Sequence, residues 1–235
     1  MQPIWECLKP LQGEKTHVGA TPCRDGVPSG SDYSFDMEIN GFRFIPAAID
    51  AALQCALVDA VMTAAEAAPF YRPITPGGKA MSVLQTSFGP LGWTTDRAGY
   101  RYEPRHPTTG APWPDLPEAL TELWRRHAGT ARAPDSCLVN LYRDDARMGL
   151  HQDADEADFC VPVLSVSLGD TAVFRLGGPS RRDPTRTLRL ASGDICVLDG
   201  ASRRAFHGID RIIAGSSRLV PGGGRINLTL RRACN

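Results

Sequence analysis

The chain has no excess of charge of either sign, since 26 lysines and arginines balance 26 aspartates and glutamates. No global field draws it to a polyanion or an anionic membrane, so any such contact must be local. It also lacks a Cys-x-x-Cys pair, and its seven cysteines, at 7, 23, 55, 137, 160, 196 and 234, show no pairing rhythm. That excludes the common zinc and redox motifs and suits a reduced, cytosolic setting. Nor is there an apolar run that could span a bilayer: the most apolar stretch, residues 46–70, is broken by Asp50, Gln54, Asp59 and Glu66. The opening Met1-Gln2-Pro3-Ile4-Trp5-Glu6 has neither the charged start nor the apolar core of a secretory signal. No membrane association is expected. What remains is a 235-residue globular composition, 42% hydrophobic, whose 23 glycines and 19 prolines lean toward turns and strands.

Residues 1–34 read as an irregular leader, rich in Gly, Pro, Ser and Thr from residue 9 on. Residues 35–235 carry no repeat and no linker, and read as one domain. Met37 and Ile39, then Asn40-Gly41, then Phe42 and Phe44 spell a hairpin with a tight primed turn. After Pro46, Ile49, Ala52, Leu53, Ala56, Leu57, Ala60, Val61 and Ala64 recur at helical spacing and predict a core-packing helix. Residues 69–117 are so dense in Pro, Gly and aromatics that they resist assignment to regular elements; a functional lid and plain irregular packing both fit. A second helix is expected over 117–128. From Ser136 on, strand-like runs lie at 137–141, 161–168, 172–176, 194–198 and 226–230, separated by turn signals, which suggests a sandwich or barrel.

Among the five histidines, only His151 is followed two residues later by a carboxylate, Asp153. On a strand this spacing puts both side chains on one face. With one distant histidine they would make a two-histidine, one-carboxylate centre that leaves three coordination positions of iron(II) open. His17 and His106 sit in polar loops and His127 near a helix end, so His207, in Ala205-Phe206-His207-Gly208, is the best third ligand, although that setting also suits an ordinary turn. Farther on, Arg225-Ile226-Asn227-Leu228-Thr229-Leu230-Arg231 alternates, placing 225, 227, 229 and 231 on one face. Two buried arginines require an anion, and the planar guanidinium suits a dicarboxylate; an edge strand with its polar face in water is the alternative. Arg181, Arg182, Arg186 and Arg189 form a local basic cluster that reads either as phosphate contacts or as a solvated strand edge.

Asn140-Leu141-Tyr142, His151-Gln152-Asp153-Ala154-Asp155-Glu156, His207-Gly208-Ile209 and the 225–231 run, in that order, resemble the AlkB family of iron(II)- and 2-oxoglutarate-dependent dioxygenases. Thr75-Pro76-Gly77-Gly78, Met81-Ser82-Val83, Leu91-Gly92-Trp93-Thr94-Thr95 and Gly99-Tyr100-Arg101-Tyr102 look like the nucleotide-recognition lid of its bacterial branch. The likeness covers about residues 35–232. It implies a mainly β fold with flanking helices, a double-stranded β-helix (jelly roll) over about 136–232 with an N-terminal lid over about 69–117. It implies iron(II), 2-oxoglutarate and O2 as cofactor and cosubstrates, with His151, Asp153 and His207 as iron ligands. Arg225 matches the arginine that grips the far carboxylate of 2-oxoglutarate, and Asn140, Tyr142, Asn227 and Arg231 match its supporting contacts. Met81, Trp93, Tyr100, Asp155 and Arg181 match positions that meet the substrate nucleotide.

The activity so implied is oxidative demethylation of N-alkylated bases such as 1-methyladenine and 3-methylcytosine. Alkylated single-stranded DNA is the expected partner, with duplex DNA and RNA left open, and a cytoplasmic monomer is the expected state. Iron- and 2-oxoglutarate-dependent hydroxylation of a protein or small molecule is the alternative, and a cupin-like binding module a third reading. Two departures from the family pattern bear on affinity. Ala154 stands where lysine is usual between the two aspartates, and the Leu219–Gly224 connection is longer or looser.

Overall fold

The computed structural model describes residues 37–234, so the leader at 1–34 lies outside the described residues. Asn40 and Gly41 both take positive φ, 50° and 85°, and close β1 (Met37–Ile39) on β2 (Phe42–Ile45) as the Asn-Gly pair requires. A Cβ on Gly41 would stand 2.3 Å from Asp199 O, so the turn also needs glycine for room. The first helix, α1 (Ala51–Ala67), is capped by Asp50, whose carboxylate accepts from the Leu53 N–H at 2.8 Å. The second is α2 (Glu118–His127).

Seven antiparallel strands form the major sheet, in the order β1, β2, β11 (Ile195–Leu198), β8 (Val163–Gly169), β13 (Arg225–Arg231), β6 (Ser136–Tyr142), β3 (Leu84–Phe88). Four form the minor sheet: β10 (Arg186–Leu190), β9 (Thr171–Leu176), β12 (His207–Ile213), β7 (Met148–His151). Strand alternation builds two cores. Ile226, Leu228 and Leu230 of β13 join Val139, Leu164, Val166 and Leu168 against Leu57, Val61, Leu120 and Trp124 of the helices. On the other face Phe42, Tyr142, Cys196 and Leu198 pack toward Phe174, Leu176, Ile209 and Ile212 of the minor sheet. The architecture is the expected jelly roll with helices on one side. At about 2 kcal/mol per buried large aliphatic, the helix layer holds the major sheet in place and leaves its inner face for polar groups.

Several expectations are corrected. Residues 69–117 contain regular elements: β3 is an edge of the major sheet, and β4 (Gly92–Asp96) pairs with β5 (Gly99–Glu103) as a separate hairpin. Five-residue strands bearing Gln, Thr and Ser between Gly and Pro show little alternation, so pattern hid them. Strands β7, β10 and β12 were also absent from the expected set, and His207 opens β12 rather than sitting in a turn. Arg186 and Arg189 are exposed on β10, at the sheet edge. His106 lies in a loop, beside the 107–109 turn, but is buried in it: it is 1% exposed, its Nε2–H bonds Pro69 O at 2.7 Å, and its Nδ1 accepts from the N–H groups of Thr108 and Thr109.

Cys160 and Cys234 are disulfide-bonded, against the expectation of unpaired thiols, while Cys55, Cys137 and Cys196 are free. The tail after β13 folds back on the loop after β7, where Ala157 N–H donates to Ala233 O at 3.2 Å. The Leu219–Gly224 connection is anchored rather than loose, because the Asp170 carboxylate accepts from the N–H groups of Gly215, Ser217 and Gly224. No helix among the described residues is long and apolar enough to cross a membrane.

Candidate active site

The two histidines separated by 56 residues in sequence are directly opposed across the β7–β12 pair, with ring centroids 4.5 Å apart. Asp153 follows β7 by two residues. Its Oδ1 lies 3.9 Å from His151 Nε2 and its Oδ2 3.7 Å from His207 Nε2. One potential ligand atom from each of the three residues falls within 4.8 Å of the others. Each imidazole is oriented from behind: Nδ1–H of His151 bonds Gly149 O and that of His207 bonds Ala205 O, both at 3.0 Å. A carbonyl only accepts, so each Nδ1 carries the proton and each Nε2 turns its lone pair inward. Burial, and then His151, push His207 down to about 4, which keeps it neutral and ready to ligate. Burial would raise Asp153, but the Arg231 cation outweighs it and holds the carboxyl well below its usual range.

Below the trio lies a buried charge network. Arg231 Nη2 donates to Asp153 Oδ1 at 2.7 Å. Glu156 accepts from Arg203 at 2.9 Å and from the Tyr102 hydroxyl at 2.5 Å. Arg203 also donates to the carbonyls of Asp153 and Val161, so it pins the loop that carries the ligand aspartate. Sequence reasoning missed Arg203 and gave Glu156 no role; no local signal marks an arginine whose partners lie 42–50 positions away.

At the other end of the cavity Arg225 is fully buried. Its Nη2 donates to Ser167 Oγ at 2.8 Å and its Nη1 to Leu190 O at 3.3 Å, while its Nε has no partner among the described residues. No described carboxylate forms an ion pair with it, and burial lowers its pKa. A buried cation with an open N–H fits a ligand carboxylate. Tyr142 stands opposite Arg225 and Asn140 opposite Asn227 in the β6–β13 register. This donor set, beside an open trio of N and O ligands, fits an iron ion that shares its coordination with a 2-oxo acid.

The β4–β5 hairpin contributes Trp93 and Tyr100 to the cavity wall. Trp93 and Tyr100 are stacked, 5.5 Å between ring centroids at 19°, and Trp93 Nε1–H donates to Asp155 Oδ2 at 2.7 Å. Burial raises Asp155 above the usual carboxylate value. Arg181 Cζ lies 5.0 Å over the Phe206 ring, a wall residue that sequence reading gave no role. One cavity of about 950 Å³ unites Met81, Trp93, Tyr100, Asn140, Tyr142, His151, Asp153, Asp155, Arg181, His207, Arg225, Asn227 and Arg231, whereas Arg182, Arg186 and Arg189 of the basic cluster do not line it.

Residues 41–231 match the model of the 2OG-Fe(II) oxygenase superfamily. With the jelly roll and the His-Asp-His trio, that match makes the protein a dioxygenase of the class that uses iron(II), 2-oxoglutarate and O2. The relatives narrow it further. It is 64% identical over 195 residues to the alpha-ketoglutarate-dependent dioxygenase AlkB homolog of Caulobacter vibrioides, covering 83% of this chain and 89% of the relative. To the alpha-ketoglutarate-dependent dioxygenase AlkB of Escherichia coli it is 44% identical over 181 residues, 75% of this chain and 83% of the relative. The solved structure of OsALKBH1 superposes with a TM-score of 0.71 at 28% identity, over 85% of this chain and all of that one. The chain belongs to the AlkB family.

Proposed function

We propose that this dioxygenase repairs N-alkylated bases of the 1-methyladenine and 3-methylcytosine type in DNA, preferring single strands and also accepting RNA. The observation that carries this reading is the stacked Trp93–Tyr100 pair, hydrogen-bonded to Asp155 on the cavity that holds the histidine-aspartate trio. A base inside a duplex is out of reach of a centre this deep, so the nucleotide must be extruded or already unpaired. Trp93 then offers a face to the base, with His151 as the opposite wall. Asp155 offsets the charge of a cationic methylated base and accepts from its exocyclic amine, and Arg181 meets a flanking phosphate.

His151, Asp153 and His207 hold the iron. Arg225 pairs with the far carboxylate of 2-oxoglutarate, and Asn140, Tyr142, Asn227 and Arg231 complete its cradle. When bound, iron(II) with 2-oxoglutarate and O2 supplies the oxidation that converts an N-methyl into an N-hydroxymethyl group, releasing succinate and carbon dioxide. The hydroxymethyl N–C bond then breaks, formaldehyde leaves, and the electron pair stays on the restored base. Residues 69–117 serve as the lid of a single domain whose core spans 136–232, and the protein works as a cytoplasmic monomer. Methylated single-stranded DNA, duplex DNA and RNA, assayed side by side, test the reading. Formaldehyde should appear one-to-one with succinate, fastest on single strands. Succinate without formaldehyde on all three would overturn it in favour of another substrate.

A further inference from the structure

We infer that Gln85 is a positioning residue for the 2-oxoglutarate site, acting through the Asn140 amide. Gln85 lies on β3 directly opposite Asn140 on β6, which is itself opposite Asn227 on β13. Side chains opposed across antiparallel strands share a face, so the three amides form a row along the floor of the cavity. Gln85 Nε2–H donates to Asn140 Oδ1 at 2.8 Å, with the two residues 1% and 5% exposed.

Two facing amides can bond in either sense, and the choice decides what Asn140 shows the cavity. With Gln85 as donor, the Asn140 oxygen is occupied and its Nδ2 is left to donate inward. In the opposite sense Asn140 would present lone pairs to a ligand carboxylate, which repels them. The inference rests on the reading of Asn140 as a cosubstrate contact and adds what orients it. The arrangement leaves Gln85 Oε1 buried and without a partner among the described residues. An apolar side chain of the same length would carry no such penalty, and an unsatisfied amide oxygen on a ligand cavity marks a position held for its donor end.

The test is calorimetric titration of 2-oxoglutarate into the protein loaded with Mn(II), which binds the cosubstrate without turnover. Gln85→Met should weaken binding about 3- to 10-fold, the value of one hydrogen bond, with Mn(II) affinity unchanged. In turnover, KM for 2-oxoglutarate should rise while kcat is kept. Gln85→Glu accepts but cannot donate, so it turns Asn140 round and should weaken binding more than Met does. In an Asn140→Ala background, Gln85→Met should cause no further loss. Unchanged affinity in Gln85→Met, or an equal loss with and without Asn140, overturns the inference alone. Unchanged affinity in Asn140→Ala overturns the reading of Asn140 and the inference with it.

Discussion

Arg231 and Asp153 form an ion pair of 2.7 Å in which each side chain is only 7% exposed. The strand that carries Arg225 into the cavity thus also supplies the counter-ion of Asp153. In the metal-free protein this guanidinium balances the carboxylate, and removing it strands a buried negative charge. Arg231→Met is expected to lower unfolding stability by about 3–5 kcal/mol. Mn(II) should then stabilise the variant more than the wild type, because the ion takes over the role of the missing cation. Urea unfolding with and without Mn(II) checks this; equal increments in both proteins would show that Arg231 does not compensate Asp153.

Arg225 carries the opposite sign of effect. It is a buried cation that forms no ion pair with a carboxylate among the described residues, so the protein bears most of its desolvation until a ligand arrives. Arg225→Met should leave ligand-free stability unchanged or raise it by about 1–3 kcal/mol, while weakening 2-oxoglutarate binding by about 100-fold or more. Thermal melts paired with calorimetric titration separate the two quantities. A variant that is both destabilised and still binds the cosubstrate would refute the assignment.

Much of this was legible in the sequence because periodicity carries it. The Asn40-Gly41 hairpin, the α1 stripe and the alternation of β13 follow from local spacing, and β13 put two arginines on one inner face before any fold was known. The opposition of His151 and His207 was not legible, since strand register is set by the whole sheet. Nor was the network of Arg203, Glu156 and Tyr102, whose members meet only in three dimensions. Strand β3 was missed for a related reason: Gln85 and Ser87 look like loop residues until the cavity gives their polar face a use.

The stacked aromatics of the β4–β5 hairpin predict a split between substrate and cosubstrate effects. Trp93 stacks on Tyr100 and donates to Asp155, partners that lie outside the His151, Asp153 and His207 trio. Base stacking is worth about 1–3 kcal/mol, so Trp93→Ala should cut turnover of a methylated oligonucleotide by about 5- to 100-fold. Affinity for 2-oxoglutarate and Mn(II) should stay the same. Formaldehyde release and calorimetry read the two effects, and a parallel fall in both would make Trp93 a structural residue.

His127, at the end of α2, sets a pH dependence of stability. Burial, then Arg126 and Arg43, push the ring down to about 4, below the ordinary histidine value of about 6.5. Between those values the unfolded chain binds a proton that the folded chain refuses, so falling pH favours unfolding. The contribution is constant above about pH 7, declines as pH drops from 6.5 to 4, and levels off below that, for a total on the order of 3 kcal/mol. His207 titrates with the same sign in the metal-free protein, so the wild type alone does not isolate His127. His127→Leu keeps the position buried and removes the titration. Its unfolding free energy should gain on the wild type by about 3 kcal/mol between pH 7 and pH 4, and parallel pH profiles would mean that His127 is protonated as readily in the fold as outside it.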